Sequence, residues 1–432
     1  MTDEKLLMGN EAIGRALVEA GCNLICAYPG TPSSEILEAA AANLEDAANP
    51  IHIEWSVNEK IAYETALAGA YTGKRTAAIM KQVGLNVAAD PFARSTYIGV
   101  KGGFVVVVAD DPGPHSSQNE QDTRLFSLFA KAPVFDPSSP AEAREMVSEA
   151  LELSEKYELP VVLRPTTRIC HSRQNITPRA ALDLQRRAHF EKNPGRWVAT
   201  PAFLPSLHAA LNEKLAKIAA EPGFAPRTFR DFHSGPAIVA SGIAYANTAD
   251  LLTELGLADE ITLYQVRLPF PLHREFSHEL SGRHERILVL EETDSVIEMQ
   301  MAGDNISGRR DGLVPGHGEL TPDVISEIID RFLERSKAEK SASAPARGRR
   351  PSLCPGCPHR AAFYAIRKTF PKGIFPSDIG CYTLGLNLGA VDTCHCMGAC
   401  ISQGAGFYFS HAQDGNDFPT VVVTIGDSTF FH

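Results

Sequence analysis

Residues 420–428, near the end of the chain, read Thr-Val-Val-Val-Thr-Ile-Gly-Asp-Ser, an apolar β-branched run that breaks at a glycine and a carboxylate. Such a run is typical of a buried parallel strand, and the carboxyl end of a parallel strand is where open α/β sheets bind ligands. Gly426 lets the backbone approach a diphosphate closely, and the Asp427 carboxylate suits Mg2+. A plain turn would also explain the Gly-Asp pair. The stretch predicts an α/β fold and leaves both interpretations of the pair open.

Six of the nine cysteines are clustered between Cys354 and Cys400, shortly before this run, and the first two of the six form a Cys-x-x-Cys pair. In a chain that begins without a secretion signal, such clustering favours metal or cluster ligation over disulfides. Cys22, Cys26 and Cys170 stand among apolar neighbours instead. We predict that these three are core residues.

Length and composition limit the class of protein. The chain has 432 residues, 44% hydrophobic and 22% charged, with a formal net charge of −11. The length predicts two to four domains at about 100–200 residues each. The acidic balance argues against a nucleic-acid-binding function, and no apolar run reaches the length of about 18 residues that a membrane span requires. The start lacks a signal-peptide pattern, so we predict a cytoplasmic protein.

Strand and helix patterns alternate along most of the chain, which predicts doubly wound parallel sheets. The predicted strands are 23–28, 52–57, 103–109, 159–164, 237–242, 261–266 and 286–291, and the predicted helices are 9–20, 58–71, 140–156 and 249–257. Residues 81–91 have a loop-like pattern. Residues 336–350 are of low complexity and predict a flexible linker.

Thr31 and Glu59 each have a structural and a functional interpretation. Thr31 suits a helix N-cap followed by Pro32, or its hydroxyl lies in a substrate pocket at the end of a strand. Glu59 fits a capping box begun by Ser56, or it is a buried carboxylate that shares a proton with a cofactor ring. The sequence pattern alone leaves both alternatives open.

A long polar loop follows the strand 103–109 and contains His115, Asn119 and Arg124. Loops after core strands are where sites are commonly built, although a solvated surface loop would have the same composition. Because these three side chains together could hold a carboxylate or a phosphate, we predict that His115 and Arg124 bind substrate.

Taken together, the ordered motifs resemble the 2-oxoacid:ferredoxin oxidoreductases. The motifs are Tyr28-Pro-Gly-Thr-Pro-Ser-Ser34, Asn58-Glu59, the loop at His115, Cys354-Pro-Gly-Cys-Pro-His359, Gly380-Cys381 and Gly426-Asp-Ser428. The resemblance implies several doubly wound parallel-sheet domains of thiamine-diphosphate-binding and transketolase C-terminal type. It places a pyrimidine-binding domain at 1–190, a transketolase C-terminal-like domain at 200–335, the linker at 336–350 and an incomplete diphosphate-binding domain at 351–432.

The resemblance also implies roles for particular residues. Glu59 would protonate the pyrimidine ring of the thiamine diphosphate, Thr31 would bind the substrate carboxylate, and Asp427 would ligate Mg2+. The implied cofactor-lining residues are Gly380, Cys381, Met397, Gly398, Gly426 and Ser428. In relatives, cysteines placed like Cys354, Cys357 and Cys381 help to bind a [4Fe-4S] cluster. Its fourth ligand would be Cys394, Cys396 or Cys400, or would lie beyond the end of this chain, and a zinc site is the alternative.

By the same resemblance, the expected function is oxidative decarboxylation of a 2-oxoacid, an aryl pyruvate, to acyl-CoA and CO2. Electrons would pass through iron-sulfur clusters to ferredoxin, CoA would be the co-substrate, and a small beta subunit would complete a heterodimer. A non-oxidative thiamine-dependent lyase and a non-catalytic zinc scaffold are the rival predictions. The family pattern continues past Gly-Asp-Ser to an Asn ligand and a ferredoxin-like domain, so we expect the printed sequence to hold the diphosphate domain only in part.

Overall fold

The computed structural model describes residues 4–229, 231–232, 235–335, 351–415 and 419–432. The chain forms two compact units, Met1–Lys337 and Ala338–His432. The predicted linker at 336–350 lies outside the described residues. In the part of the chain that is described, no helix is long and apolar enough to cross a membrane.

The first half of the first unit is a six-stranded parallel sheet with helices on both faces. Its strands stand in the order β3-β2-β4-β5-β7-β6, and β1 and β8 form a separate antiparallel pair. The strands are β1 Lys5–Met8, β2 Leu24–Ala27, β3 His52–Trp55, β4 Thr76–Lys81, β5 Phe104–Ala109, β6 Val134–Phe135, β7 Val161–Leu163 and β8 Arg173–Ile176. The helices are α1 Gly9–Glu19, α2 Ser34–Ala42, α3 Glu59–Tyr71, α4 Gln82–Val87, α5 Ala89–Ile98, α6 Thr123–Ala130, α7 Pro140–Tyr157, α8 Thr167–His171, α9 Pro194–Trp197 and α10 Leu204–Ile218.

Strand β5 shows why the sheet is covered on both sides. All six of its residues are buried, and alternate side chains point into two separate cores. Val105 and Val107 pack on one face, and Phe104 and Val106 pack on the other. Burying each such side chain contributes about 1.5–3 kcal/mol, which is why a continuous Val run forms a central strand.

A second sheet occupies the rest of the first unit. Its order is β13-β12-β10-β11-β9, and only the edge strand β9 runs antiparallel, so the prediction of a parallel sheet is wrong for that edge. The elements are β9 Arg227–Phe229, β10 Ala237–Ala240, β11 Thr262–Gln265, β12 Ile287–Leu290 and β13 Ile306–Ser307, with helices α11 Gly242–Glu254, α12 Arg274–Arg283 and α13 Pro322–Phe332.

Two predictions about local structure in the first unit are wrong. Residues 81–91, predicted to be a loop, contain α4 and the start of α5. Gly84 lowers helix propensity, but Pro91 lies in the first turn of α5, where a missing N–H breaks no intrahelical bond. Helix α11 begins at Gly242 rather than at residue 249 because it starts directly at the end of β10.

The second unit contains helix α14 Pro358–Thr369, strands β14 Pro376–Ser377 and β15 Thr393–Cys394, a 3-10 stretch at Gly380–Leu388 and helix α15 Ala399–Ala412. Strand β14 lies parallel to β15, and residues 420–424 run parallel along its other side through the bridges Ile374–Val421 and Ser377–Thr424. The predicted strand direction is therefore confirmed, but the burial is not. The side chains from Val421 to Ile425 are only half-buried.

Candidate active site

The carboxyl ends of β2, β3, β4 and β5 lie at one edge of the six-stranded sheet, because the four strands are parallel. Lys81 is the last residue of β4, and the loops and helix starts that follow the strands carry Thr31, Glu59, Asp111 and His115. This edge is where parallel sheets bind ligands. The first unit therefore brings most of its predicted site residues to one region.

Glu59 is the first residue of α3, and it is 6% exposed. Asn58 is the N-cap, since its Oδ1 accepts a hydrogen bond of 2.9 Å from the Ile61 N–H. Ser56 lies outside the helix and donates to Glu54 Oε1 at 2.7 Å. The capping-box interpretation of Glu59 is therefore wrong, and the interpretation as a buried carboxylate remains.

The Glu59 side chain lies directly against the backbone of α4. A Cβ atom placed on Gly84 would lie 2.4 Å from Glu59 Oε1 and 2.7 Å from its Cγ, distances that real Cβ atoms do not adopt. Only glycine at position 84 leaves room for the carboxyl group. The N-terminal end of α3 also favours a negative charge there through the helix dipole.

Lys81 ends β4 and lies between the loop at Gly30 and two carboxylates. Its stem occupies the space that a side chain at position 30 would need, because a Cβ on Gly30 would lie 2.8 Å from Lys81 Cδ. Burial lowers the pKa of Lys81, and the nearby charges of Asp111 and Glu59 offset this only in part. Within the described ranges the ammonium group has no hydrogen-bond or ion-pair partner. Lys81 was not among the predicted site residues, although a lysine at the end of an apolar strand was a usable signal.

Asp111 fixes the polar loop that contains His115. Its Oδ2 accepts hydrogen bonds from the backbone N–H groups of His115, Ser116 and Ser117 at 2.9–3.1 Å, and its Oδ1 accepts one from the Thr167 hydroxyl at 2.7 Å. Burial alone would raise the pKa of Asp111, but these bonds outweigh it and hold the pKa below its usual value. The loop is therefore anchored by Asp111, although Pro114, His115, Ser116, Gln118 and Asn119 are exposed to solvent.

Thr31 and His115 line one cavity of about 420 Å³. The other lining residues are Ser116, Thr167, Arg168, His171 and Ser172. Helix α2 begins at Ser34 with Ser33 as its N-cap, so the prediction of Thr31 as a cap is wrong. Thr31 is exposed, and its carbonyl oxygen accepts a hydrogen bond of 3.2 Å from the Ser116 hydroxyl.

Arg124, predicted to bind substrate, is fully buried in an ion cluster. Its guanidinium donates to Asp122 Oδ2 at 2.6 Å, to Glu291 Oε2 at 3.0 Å and to the Asp294 carbonyl oxygen at 2.9 Å. Arg124 also holds the pKa of Asp122 far below its usual range, against the effect of burial. Because its donors are used and none faces solvent, the substrate-binding assignment of Arg124 is wrong. It joins the two sheets of the first unit.

In the second unit, one cavity of about 380 Å³ gathers most of the predicted cofactor-lining residues. It is lined by His359, Ile379, Gly380, Cys381, Tyr382, Met397, Gly426, Asp427, Ser428 and Thr429. Gly398 is not among them, but its N–H donates to Asp378 Oδ1 at 3.2 Å.

The Asp378 carboxylate lies beneath this cavity and accepts hydrogen bonds from the backbone around it. Its position in the sequence did not predict this role. It is fully buried, and its Oδ2 accepts a bond of 2.9 Å from the Gly426 N–H. A Cβ on Gly426 would lie 3.3–3.4 Å from Thr429, Asp378 and Tyr382, so a larger residue there would crowd the buried Asp378 carboxylate. Asp427 is exposed and lines the same cavity. A single carboxylate beside a glycine-lined cavity fits Mg2+ bound with a diphosphate, since that ion takes few protein ligands.

The cysteines do not form the predicted cluster site. Among the residues that the structure describes, no three His, Cys, Asp or Glu side chains are grouped so as to hold a metal ion. Cys354 and Cys381 are exposed thiols, and Cys357 Sγ lies 3.2 Å from His359 Nδ1. The arrangement therefore does not fit an iron-sulfur cluster. The prediction that Cys22, Cys26 and Cys170 are core residues is confirmed, and burial raises the pKa of Cys22 to about 12.

Comparisons with known proteins define first the class and then the family. Residues 15–212 match the family described as pyruvate flavodoxin/ferredoxin oxidoreductase, thiamine diP-binding. The class is therefore that of the thiamine-diphosphate-binding oxidoreductases, as the sequence motifs predicted.

Two curated relatives are more specific. The chain is 41% identical to the indolepyruvate oxidoreductase subunit IorA of Thermococcus kodakarensis, over 99% of this chain and 71% of that protein. It is 40% identical to the Pyrococcus horikoshii protein of the same name, over 100% and 71% of the two chains. The chain belongs to the family of the indolepyruvate oxidoreductase subunit IorA.

A solved structure agrees with the fold. The 2-oxoglutarate:ferredoxin oxidoreductase from Magnetococcus marinus, determined with 2-oxoglutarate, coenzyme A and succinyl-CoA bound, aligns with a TM-score of 0.61. It is 17% identical and covers 77% of this chain and 66% of its own. The predicted fold class is confirmed.

Proposed function

We propose that this chain is the thiamine-dependent subunit of an enzyme that oxidatively decarboxylates an aryl 2-oxoacid such as indolepyruvate. In the proposed reaction, 2-oxoacid, CoA and two oxidised ferredoxins give acyl-CoA, CO2, two reduced ferredoxins and a proton. The substrate class follows the names of the curated relatives. The observation that carries the proposal is the buried Glu59 carboxyl group, which only a glycine at position 84 accommodates.

Thiamine diphosphate, when bound, supplies the electron sink that decarboxylation of a 2-oxoacid requires. Glu59 would hold the proton that is shared with the pyrimidine ring, and its seclusion from water suits a carboxyl group that exchanges protons. In the second unit, Gly380, Cys381, Met397, Gly426 and Ser428 would hold the diphosphate end of the cofactor. Asp427 would be the carboxylate ligand of its Mg2+.

We assign substrate binding to Lys81 and not to Arg124, the cation that the sequence predicted. With Arg124 committed to Asp122 and Glu291, we assign the 2-oxoacid carboxylate to the Lys81 ammonium group and the Thr31 hydroxyl. Lys81 is half-buried, and a charge pair in such surroundings is stronger than one in water. His115 lines the cavity beside Thr31, but its Nε2 lies 3.2 Å from Glu319 Oε2, so we give it a secondary role in binding substrate.

The relatives are named as subunits, and we propose that a small beta subunit completes the enzyme as a heterodimer. No electron-transfer step is assigned to Cys354, Cys357 and Cys381, since those thiols are not grouped as ligands. Elemental analysis of the purified complex and of its Cys354→Ala, Cys357→Ala and Cys381→Ala variants tests that statement, because iron or zinc held by these thiols would be lost from the variants.

The direct test uses the complete, anaerobically purified complex with indolepyruvate, CoA and a viologen dye, with and without thiamine diphosphate. We expect dye reduction that requires all three additions. Aldehyde formation without dye reduction would identify a non-oxidative lyase instead. Complete inactivity together with stoichiometric zinc would identify a metal-binding scaffold.

A further inference from the structure

A cavity of about 540 Å³ lies between α4 and α6 in the first unit, and no role has yet been assigned to it. Its lining residues are Gln82, Leu85, Asn86, Gln121, Asp122, Thr123, Leu125, Phe126, Phe129 and Asp294. We call it the α4–α6 cavity. Its volume is within the range of about 300–1,000 Å³ that small-molecule sites occupy.

The α4–α6 cavity and the Glu59 carboxyl group lie on opposite faces of the same short helix. Gln82, Leu85 and Asn86 follow the i, i+3, i+4 spacing of one helix face. Gly84, which contacts Glu59, is two residues from Gln82 and therefore about 200° around the helix. The cavity is next to the proposed reaction centre but distinct from the place where Glu59 would meet a pyrimidine ring.

Apolar and aromatic side chains form one part of the cavity wall, and Asn86, Gln121, Asp122, Thr123 and Asp294 line the rest. Leu85 is 1% exposed and forms a fixed surface. The Phe126 ring is stacked on the buried Phe92 with centroids 6.1 Å apart, so it is held in place from behind. Phe129 meets Phe126 edge to face at 6.2 Å and is 73% exposed, which places it at the rim. Such walls suit a flat aromatic ring, which packs offset or edge-on against other rings.

Gln82 presents a buried hydrogen-bond acceptor beside the aromatic part of the wall. Its Nε2 donates to the Ser117 hydroxyl at 3.0 Å, which orients the amide. Its Oε1 is buried and has no hydrogen-bond partner among the described residues. A buried acceptor without a donor is destabilising, and a ligand with an N–H or O–H group would remove that cost.

We propose that the α4–α6 cavity binds the aromatic side chain of the 2-oxoacid, with Gln82 Oε1 accepting a hydrogen bond from a ring N–H or O–H group. The inference rests on the proposed function and names the specificity-determining residues of that same enzyme. The aminopyrimidine of the cofactor has the same chemistry, a flat ring with N–H donors. The position of Glu59 on the opposite face of α4 favours the substrate.

The test compares Phe129→Ala and Gln82→Leu in the assembled enzyme, with Phe190→Ala as the control. Phe190 is an exposed aromatic residue, 48% accessible, that does not line the cavity. The substrates are indolepyruvate, which has a ring N–H, and phenylpyruvate, which has none. Phe129→Ala should lower kcat/KM for both about tenfold, and Gln82→Leu should lower it about tenfold for indolepyruvate relative to phenylpyruvate. Phe190→Ala should match the wild type.

Two results would overturn the inference while the proposed function stands. One is an equal effect of Gln82→Leu on both substrates, and the other is weaker binding of thiamine diphosphate by Phe129→Ala in a fluorescence titration. Calorimetric titration of the complex with indole needs no turnover and separates the two proposals. Indole should bind the wild type and bind both cavity variants about tenfold more weakly, and equal binding by all three proteins would reject the cavity even in an inactive preparation.

Discussion

Gly84→Ala is the substitution that most directly tests the packing of the Glu59 carboxyl group against α4. The added Cβ would lie 2.4 Å from Oε1, 2.7 Å from Cγ and 2.8 Å from Cδ of Glu59. Comfortable contacts between such atoms are about 3.5 Å, so the carboxyl group must move by about 1 Å. A displacement of that size at a reacting group costs about 10²-fold in rate. We therefore expect kcat to fall by about two orders of magnitude.

The stability of the Gly84→Ala protein should change far less than its activity. Alanine in a helix is favoured over glycine by up to about 1 kcal/mol, whereas overpacking costs about 1–3 kcal/mol. The protein should fold, with a free energy of unfolding within about 2 kcal/mol of the wild type by the same estimates.

The assay is 2-oxoacid-dependent viologen reduction by the assembled enzyme, with thermal unfolding measured in parallel. Gly282→Ala is the matched control, because Gly282 lies in α12 and a Cβ there meets no atom within 4 Å. That variant should keep wild-type activity. A Gly84→Ala enzyme with wild-type kcat would refute the packing of Glu59 against α4 as a functional feature.

Three further changes have defined outcomes. Lys81→Met should raise KM for the 2-oxoacid at least about tenfold without weakening thiamine diphosphate binding, because a charge-assisted bond is lost. The control Lys60→Met alters an exposed lysine on α3 and should leave KM unchanged. Equal KM values for Lys81→Met and the wild type in steady-state kinetics would contradict the assignment. Arg124→Met should lower the free energy of unfolding by about 3–5 kcal/mol in urea titrations, because it leaves buried carboxylates unpaired, and a loss below about 1 kcal/mol would contradict this account. Burial raises the pKa of Glu292 from 4.5 to about 7, so the folded state retains that proton and the stability it contributes is lost as the pH rises through about 7. The loss of stability is about 3 kcal/mol. Glu292→Gln should therefore unfold at a higher temperature than the wild type at pH 8 and at the same temperature at pH 4. Parallel pH profiles of the two unfolding temperatures in calorimetry would refute this prediction.

Local patterns in the sequence were sufficient to predict the central strands of the fold. The Val run of β5 predicts a buried parallel strand because only a sheet covered on both faces accepts it, whereas β3 is an edge strand in which no residue is fully buried. Thr31, Glu59 and His115 could be selected because each follows a strand of this parallel sheet. Position at the end of a parallel strand is thus information that the sequence contains directly.

Long-range partners were not accessible in the same way. Nothing near Arg124 in the sequence indicates its ion pair with Glu291, which comes from the second sheet, so a buried structural arginine had the same local pattern as a ligand-binding one. The role of Gly84 depends on the packing of α4 against α3, and that of Asp378 depends on Gly398 and Gly426 folding over it. These residues become recognisable only when the distances between elements are known.

The most direct measurement is the turnover of the Glu59→Gln enzyme in the presence of saturating thiamine diphosphate, indolepyruvate and CoA. The amide has the same shape as the carboxyl group but cannot exchange the proton, so we expect a folded complex whose rate of dye reduction falls at least about 10²-fold. A variant that turns over within a few-fold of the wild type would contradict the central role of this carboxylate.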